Sequence, residues 1–276
     1  MTIQYGRFMR GMAVNIRQTA GNVGLCLAAA SLLFSVTSCQ KQPATSADDS
    51  PSRPAVEVIT EVDTLYTGRG DLTKVRQGLI ALRHAQATEA GNYDLAWRLA
   101  KFNYYLGSHT TDDTERDKAF RDGIDAGKLA VKLQDGKPDG HFWLGANYGG
   151  SAKVSMLTGL SEIDEIKREM EIVLKLDEGY QAGSAYMVLG QVYQEAPRLL
   201  GGDTQKAIEY FQKGIRLGPT NPLLRWHLAQ AYADANRKED ARKEIDTLLT
   251  MKVDPAYAPE QTEALEKSKE LAEKLK

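Results

Sequence analysis

The side chains able to do chemistry are few and dispersed. His84, His109, His141 and His227 stand at least 25 residues apart. No His-Glu-x-x-His pair puts two imidazoles on one helix face, as a zinc site of that kind needs. Gly123-Ile-Asp-Ala-Gly127-Lys128-Leu129 approaches a phosphate-binding loop. It is one residue short, lacks the hydroxyl after the lysine, and follows no strand. The carboxylates of Glu162-Ile-Asp164-Glu165 fit the first turn of a helix, where acids oppose the positive dipole end. Arg69-Gly70-Asp71 reads as a turn and a helix cap. The 276 residues carry a net charge of −2, so no basic field draws nucleic acid. These residues point to a protein that is not an enzyme and holds no metal or cofactor.

One residue has a setting that implies chemistry. Cys39 ends an apolar run, Val23 to Val36, that follows Arg7, Arg10 and Arg17. Basic start, apolar middle and small residues before a cut form the order of a signal peptide, and the run is too short to span a bilayer comfortably. Val36-Thr37-Ser38-Cys39 resembles the bacterial lipobox, in which the cysteine becomes the first residue of the mature chain and carries acyl chains such as palmitate. The expectation is a lipoprotein signal peptide at 1–38, lipid on Cys39 and a tether over 39–56, where three prolines and polar residues cannot support a core. Gln40 after the cysteine fits sorting to the outer membrane, facing the periplasm. Cys26 leaves with the signal and Cys39 is modified, so cysteine catalysis is excluded. Removal of 1–38 leaves 32 basic against 37 acidic residues, near −5.

From about residue 57 to 276 the apolar spacing is helical and no alternating Val/Ile/Thr run suggests a strand. Four segments align without gaps: Ala96-Trp-Arg-Leu99-Ala100-Lys-Phe-Asn103, His141-Phe-Trp-Leu144-Gly145-Ala-Asn-Tyr148, Tyr186-Met-Val-Leu189-Gly190-Gln-Val-Tyr193 and Arg225-Trp-His-Leu228-Ala229-Gln-Ala-Tyr232. The leucines stand 45, 45 and 39 residues apart. A Gly or Ala beside each leucine lets a partner helix approach. This core resembles the first helix of the tetratricopeptide repeat (TPR). Asp203 to Pro219, and Ala241 with Ile245, supply second-helix signals, and helices near 71–88 and 258–275 would cap the stack. The expectation is an all-α domain over 57–276, built from tetratricopeptide-like helical hairpins in a superhelix or compact bundle.

The lipobox, the His141-to-Gly149 segment and Leu199-Leu-Gly-Gly-Asp203-x-x-Lys206-Ala207 together resemble the T component of TRAP-type transport systems, over roughly residues 60–250. That family comprises tetratricopeptide-like bacterial lipoproteins. The resemblance implies a periplasmic substrate-binding protein as partner and a small apolar ligand.

A face for such partners can be read from the repeat. Positions 5, 9 and 12 of each first helix share a side next to the core stripe. Position 5 holds Trp97, Phe142, Met187 and Trp226; position 9 includes Lys101, Gln191 and Gln230; position 12 includes Tyr104. This predicts an apolar groove with amide edges, or the same residues serving as core. A general envelope scaffold with no transport role is the alternative function, and self-association into a homo-oligomer is left open. The Glu263–Lys276 stretch reads as a solvated helix face laced by ion pairs.

Overall fold

The computed structural model describes residues 53–276 apart from Ser155 and Val253. Among the described residues there are eleven α-helices and no strand, in keeping with the all-α expectation. They are α1 (Ala55–Thr67), α2 (Leu72–Thr88), α3 (Tyr93–His109), α4 (Asp113–Leu133), α5 (Pro138–Val154), α6 (Met156–Leu176), α7 (Tyr180–Glu195), α8 (Thr204–Leu217), α9 (Pro222–Asp234), α10 (Lys238–Thr250) and α11 (Ala258–Lys274). Asp or Asn side chains start many of them. Asp71, Asn92, Asp112, Asp203 and Asn221 each accept from backbone N–H groups of the following first turn. These bonds satisfy donors that a helix leaves open.

Consecutive helices pack as hairpins, and the odd-numbered helices also touch one another in order from α1 to α11. The four aligned segments fall on α3, α5, α7 and α9. Gly145 and Gly190 do what their place in the repeat implies. A Cβ on Gly145 would lie 2.4 Å from Met170 Cε on α6, and one on Gly190 2.4 Å from Phe211 Cε1 on α8. Gly123 and Gly127 on α4 serve the same end. Their absent side chains admit Asn147 and the Leu144 backbone of α5. Asn147 then donates to Ala100 O (3.0 Å) and Trp143 O (2.7 Å), joining α5 to α3.

Several boundaries differ from the sequence reading. Helix α1 begins at Ala55, inside the segment read as tether, because Ala55, Val58 and Val62 bury against the first core cluster and Glu89 Oε1 accepts from Ala55 N (3.1 Å). The chain therefore holds a fifth hairpin, α1–α2, before the four expected. Glu162 to Glu165 lie past the first turn of α6, whose start at Met156 precedes them. Helix α7 opens with a left-handed turn at Gln181, Ala182 and Gly183 (φ 48°, 52° and 76°). Each such non-glycine residue costs about 1–2 kcal/mol. Gly183, with no Cβ, takes this conformation without that cost, and a Cβ there would also meet Gly214 O of α8 at 2.6 Å.

The two ends of the stack meet. Arg69, in the α1–α2 turn, is 5% exposed. Its Nε and Nη2 donate to Glu260 of α11 at 2.9 and 2.5 Å, and Nη2 also donates to Ala256 O at 2.6 Å. The guanidinium lies over the Tyr66 and Tyr105 rings. His109, at the end of α3, faces Glu263 of α11 at 3.8 Å. Helix α11 thus packs on α9 and α10, burying Ala264, Ser268 and Leu271, while its Glu260 meets the α1–α2 turn and its Glu263 the end of α3. Glu263 and Lys267 point inward, so the expectation of a fully solvated α11 holds only for its outer side, where Lys269, Glu270, Glu273 and Lys274 are exposed.

Candidate functional site

The expected face divides into two clusters on the inner row of helices. The first joins α1, α3 and α5. Lys101 Nζ lies 3.8 Å from the Tyr66 ring centroid, 5.7 Å from that of Trp97 and 5.9 Å from that of Trp143. Trp97 is half-buried, donates from Nε1 to Asp94 Oδ1 (3.1 Å) and carries the Arg98 guanidinium over its ring. Tyr104 is half-buried with its ring 5.7 Å from Trp143, and burial pushes its phenol up. Burial pulls the Lys101 ammonium down to about 8; Arg69 and Arg98 add to this, while Asp63 and Asp139 oppose it.

The second cluster joins α7, α9 and α11. Gln191 Nε2 donates to His227 Nε2. His227 is 8% exposed, and burial holds it well below the ordinary imidazole value, so it is neutral at pH 7. Trp226 lies under Lys267 Nζ, 4.5 Å from its centroid, and Lys267 in turn pairs with Glu263 at 2.5 Å. Gln230 donates to Asp234 Oδ1 at 2.9 Å. Met187 is half-buried against the α8–α10 core. Phe142 belongs to neither cluster as a surface residue. It is 5% exposed and packs on Trp143 and Tyr180 beneath the face.

Sequence reading missed Tyr66, Trp143 and the inward side of α11. Trp143 stands one position past Phe142 and turns further round the helix than the position-5 stripe. Tyr66 lies on α1, which precedes the four aligned segments. His141 is 4% exposed and has a structural partner. Its Nδ1 meets Glu169 Oε2 at 2.6 Å and its Nε2 meets Asp135 O at 2.8 Å. Both ring nitrogens face acceptors, which the imidazolium satisfies best. The Glu169 hydrogen bond raises His141 against the opposing effect of burial.

The motif loop between α7 and α8 is shaped to present a leucine. Leu200 N, Gly201 N and Gly202 N donate back along the loop, and Gly201 takes φ 87°. Leu199 is left 99% exposed. Cys39 and the rest of the expected signal and tether, 1–52, lie outside the described residues. Among the described residues no helix is long and apolar enough to cross a membrane, and no group of three or more His, Cys, Asp and Glu could hold a metal.

The model of the TRAP transporter T-component family matches residues 103–276. Solved structures with the same fold include a thermophilic TPR protein of Thermus thermophilus, with TM-score 0.60 at 17% identity, covering 79% of this chain and 99% of that one. Another is PilF of Pseudomonas aeruginosa, with TM-score 0.50 at 17% identity, covering 80% and 92% respectively. No curated protein matches the chain.

Proposed function

Because this chain belongs to the TRAP transporter T-component family, we propose that it is the lipid-anchored accessory subunit of a TRAP-type uptake system, docking a periplasmic substrate-binding protein and taking a small, largely apolar ligand on its inner face. Such T components are accessory proteins of the cell envelope and are not enzymes. The observation that carries the proposal is the family match, which spans most of the aligned repeat helices together with the Leu199-to-Ala207 motif. The exposed Leu199 and the aromatic inner row support a binding role.

In this reading residues 1–38 direct export, acylated Cys39 holds the protein in the outer membrane, and the polar segment after it gives the helical domain reach into the periplasm. Two or more acyl chains make such an anchor stable, at about 0.8 kcal/mol per buried CH₂. The test is co-purification of the membrane-extracted protein with its native partners. Recovery of a substrate-binding protein is expected, and Leu199→Asp should reduce it. Recovery of envelope-assembly proteins without any substrate-binding protein would replace transport with the scaffold role. Lipid at Cys39 is read from the mass of the N-terminal peptide, and a Cys39→Ser protein held in the membrane as before would contradict the anchor.

A further inference from the structure

The loop between α7 and α8 is fixed by its backbone. Leu200 N and Gly202 N both donate to Pro197 O (2.8 and 3.1 Å), and Asp203 N donates to Tyr193 O (2.7 Å). Gly201 takes the left-handed conformation, and a Cβ on Gly202 would lie 1.8 Å from Ala196 O. Asp203 caps α8, and Ala207 is fully buried behind it. The fold thus accounts for Gly201, Gly202, Asp203 and Ala207 of the Leu199-to-Ala207 motif. It does not account for the leucines or for Lys206. Leu199 is 99% exposed and Leu200 40%. Lys206 Nζ lies 4.1 Å from the Tyr193 ring centroid, and Lys167 Nζ of α6 lies 5.2 Å from the same centroid. Lys167 Nζ also stands beside the loop, 3.9 Å from where a Cβ on Gly201 would be. Arg198, inside the loop, is exposed. Carboxylates nearby are engaged elsewhere: Glu195 with Lys153, Glu165 and Glu169 with Arg168, and Asp203 with the first turn of α8. Among the described residues, no carboxylate of the chain lies within ion-pair distance of Lys167, Arg198 or Lys206.

The place of the loop favours a protein over a lipid surface. The odd helices start along one edge. Glu89, just before α3, accepts from Ala55 N of α1. Asp139 of α5 accepts from Tyr93 of α3 and Tyr180 of α7, and Asn221 before α9 donates to Ser184 of α7. The chain enters the helical domain on that edge, at Ala55. The α7–α8 loop lies at the other end of α7, a helix of 16 residues, or about 20 Å away. It therefore projects from the edge opposite the one to which the tether leads.

We propose that the α7–α8 loop is the docking tip for the partner protein, which receives Leu199 and Leu200 in an apolar pocket bordered by Asp or Glu side chains that pair with Lys167, Arg198 and Lys206. This rests on the reading of the chain as docking a substrate-binding protein, and gives that docking a place and a chemistry. The leucines supply apolar area that the fold leaves in water. A loop whose backbone is already fixed loses little freedom on binding, which favours affinity. The cations steer encounter and exclude partners with a basic border, and their effect is screened by salt.

The test replaces Leu199 by the photocrosslinker p-benzoylphenylalanine in the full-length chain, in its native cells. Leu249, 51% exposed at the end of α10, carries the same group as a control. Illumination is expected to join position 199, and not position 249, to a substrate-binding protein, at a peptide in which apolar residues stand next to Asp or Glu. Lys167→Glu with Lys206→Glu should lower that adduct at least about tenfold. The Lys167→Gln, Lys206→Gln protein should fall between this and the parent, and Lys243→Glu on the exposed face of α10 should change nothing. An adduct whose yield ignores these charges would overturn the carboxylate border. Adducts with phospholipid alone, or with a second copy of this chain alone, would overturn the proposal in favour of a membrane contact or self-association. Equal adducts from positions 199 and 249 would overturn the loop as the tip. No adduct at 199 while a substrate-binding protein is still recovered by co-purification would overturn this surface and leave the partner standing. No adduct and no recovery would overturn both.

Discussion

Replacing Glu260 by Gln keeps the shape of the side chain and removes its charge, leaving the Arg69 guanidinium unpaired in a buried place. The Arg69 side chain is 6% exposed and that of Glu260 17%. Removing one member of a buried pair typically costs about 3–5 kcal/mol. Two features reduce that here. Arg69 keeps the Tyr66 and Ala256 carbonyls and two ring faces, and the first turns of α11 can lift so that the guanidinium regains water. The expected loss is therefore about 2–3 kcal/mol. Urea unfolding followed by far-UV circular dichroism measures the loss, and hydrogen exchange over residues 256–266 shows where it falls. Exchange there should quicken while the α5–α6 hairpin keeps its protection. An Arg69→Met, Glu260→Met double variant should recover most of the stability, since it leaves no unpaired charge. A Glu260→Gln protein within about 0.5 kcal/mol of the parent, with unchanged exchange in α11, would refute the claim that this pair closes the stack.

Gly190→Ala should destabilise by about 1–3 kcal/mol in thermal or urea unfolding, because the added methyl meets the fully buried Phe211 ring. The His141–Glu169 pair makes stability depend on pH. His141 is raised above 6.5, so its contribution is full below that value and fades as pH climbs through the raised one. For Glu169 burial acts upward, but the His141 and Arg168 hydrogen bonds hold it below 4.5, so its contribution is present above 4.5 and fades in acid. Urea midpoints should peak between 4.5 and 6.5, and His141→Gln should flatten the alkaline side. Lys101→Met should stabilise the domain at pH 7 by about 1–3 kcal/mol, since lowering the ammonium from 10.5 to about 8 means that the fold disfavours its charge. The parent should approach the variant as pH rises from 8 to 10.5, where the unfolded chain takes up the extra proton; a constant difference across that range would refute the assignment.

Much of the fold was legible because its signals are local. Leu144-Gly145 and Leu189-Gly190 announce close helix pairs within two residues, and Asp203 announces the start of α8 directly after Gly201-Gly202. The inner row was legible as a periodicity, which placed Trp97, Lys101, Tyr104, Gln191 and Trp226 on it. Periodicity could not separate Phe142, which the approach of Tyr180 buries. Nor could it find the partners brought in by long separations. Arg69 and Glu260 are 191 residues apart, and no local pattern links a turn that reads as a cap to a helix that reads as solvated. The Lys267–Trp226 contact was hidden for the same reason, as an i,i+4 ion pair with Glu263 looks the same on an exposed helix as on one packed against a neighbour.

A stack of hairpins is ordinarily a one-dimensional object with two boundaries, and each boundary unit has a neighbour on one side only. Such arrays fray inward from their ends. The contact of the α1–α2 turn with α11 gives each end unit a second neighbour, so the array behaves as a loop in which no unit is terminal. Unfolding then has no favoured starting point until that seam parts. A substitution in the first hairpin will be felt in the last helix sooner than in the middle of the chain, and cooperativity should extend over the whole domain rather than decay with distance along the sequence.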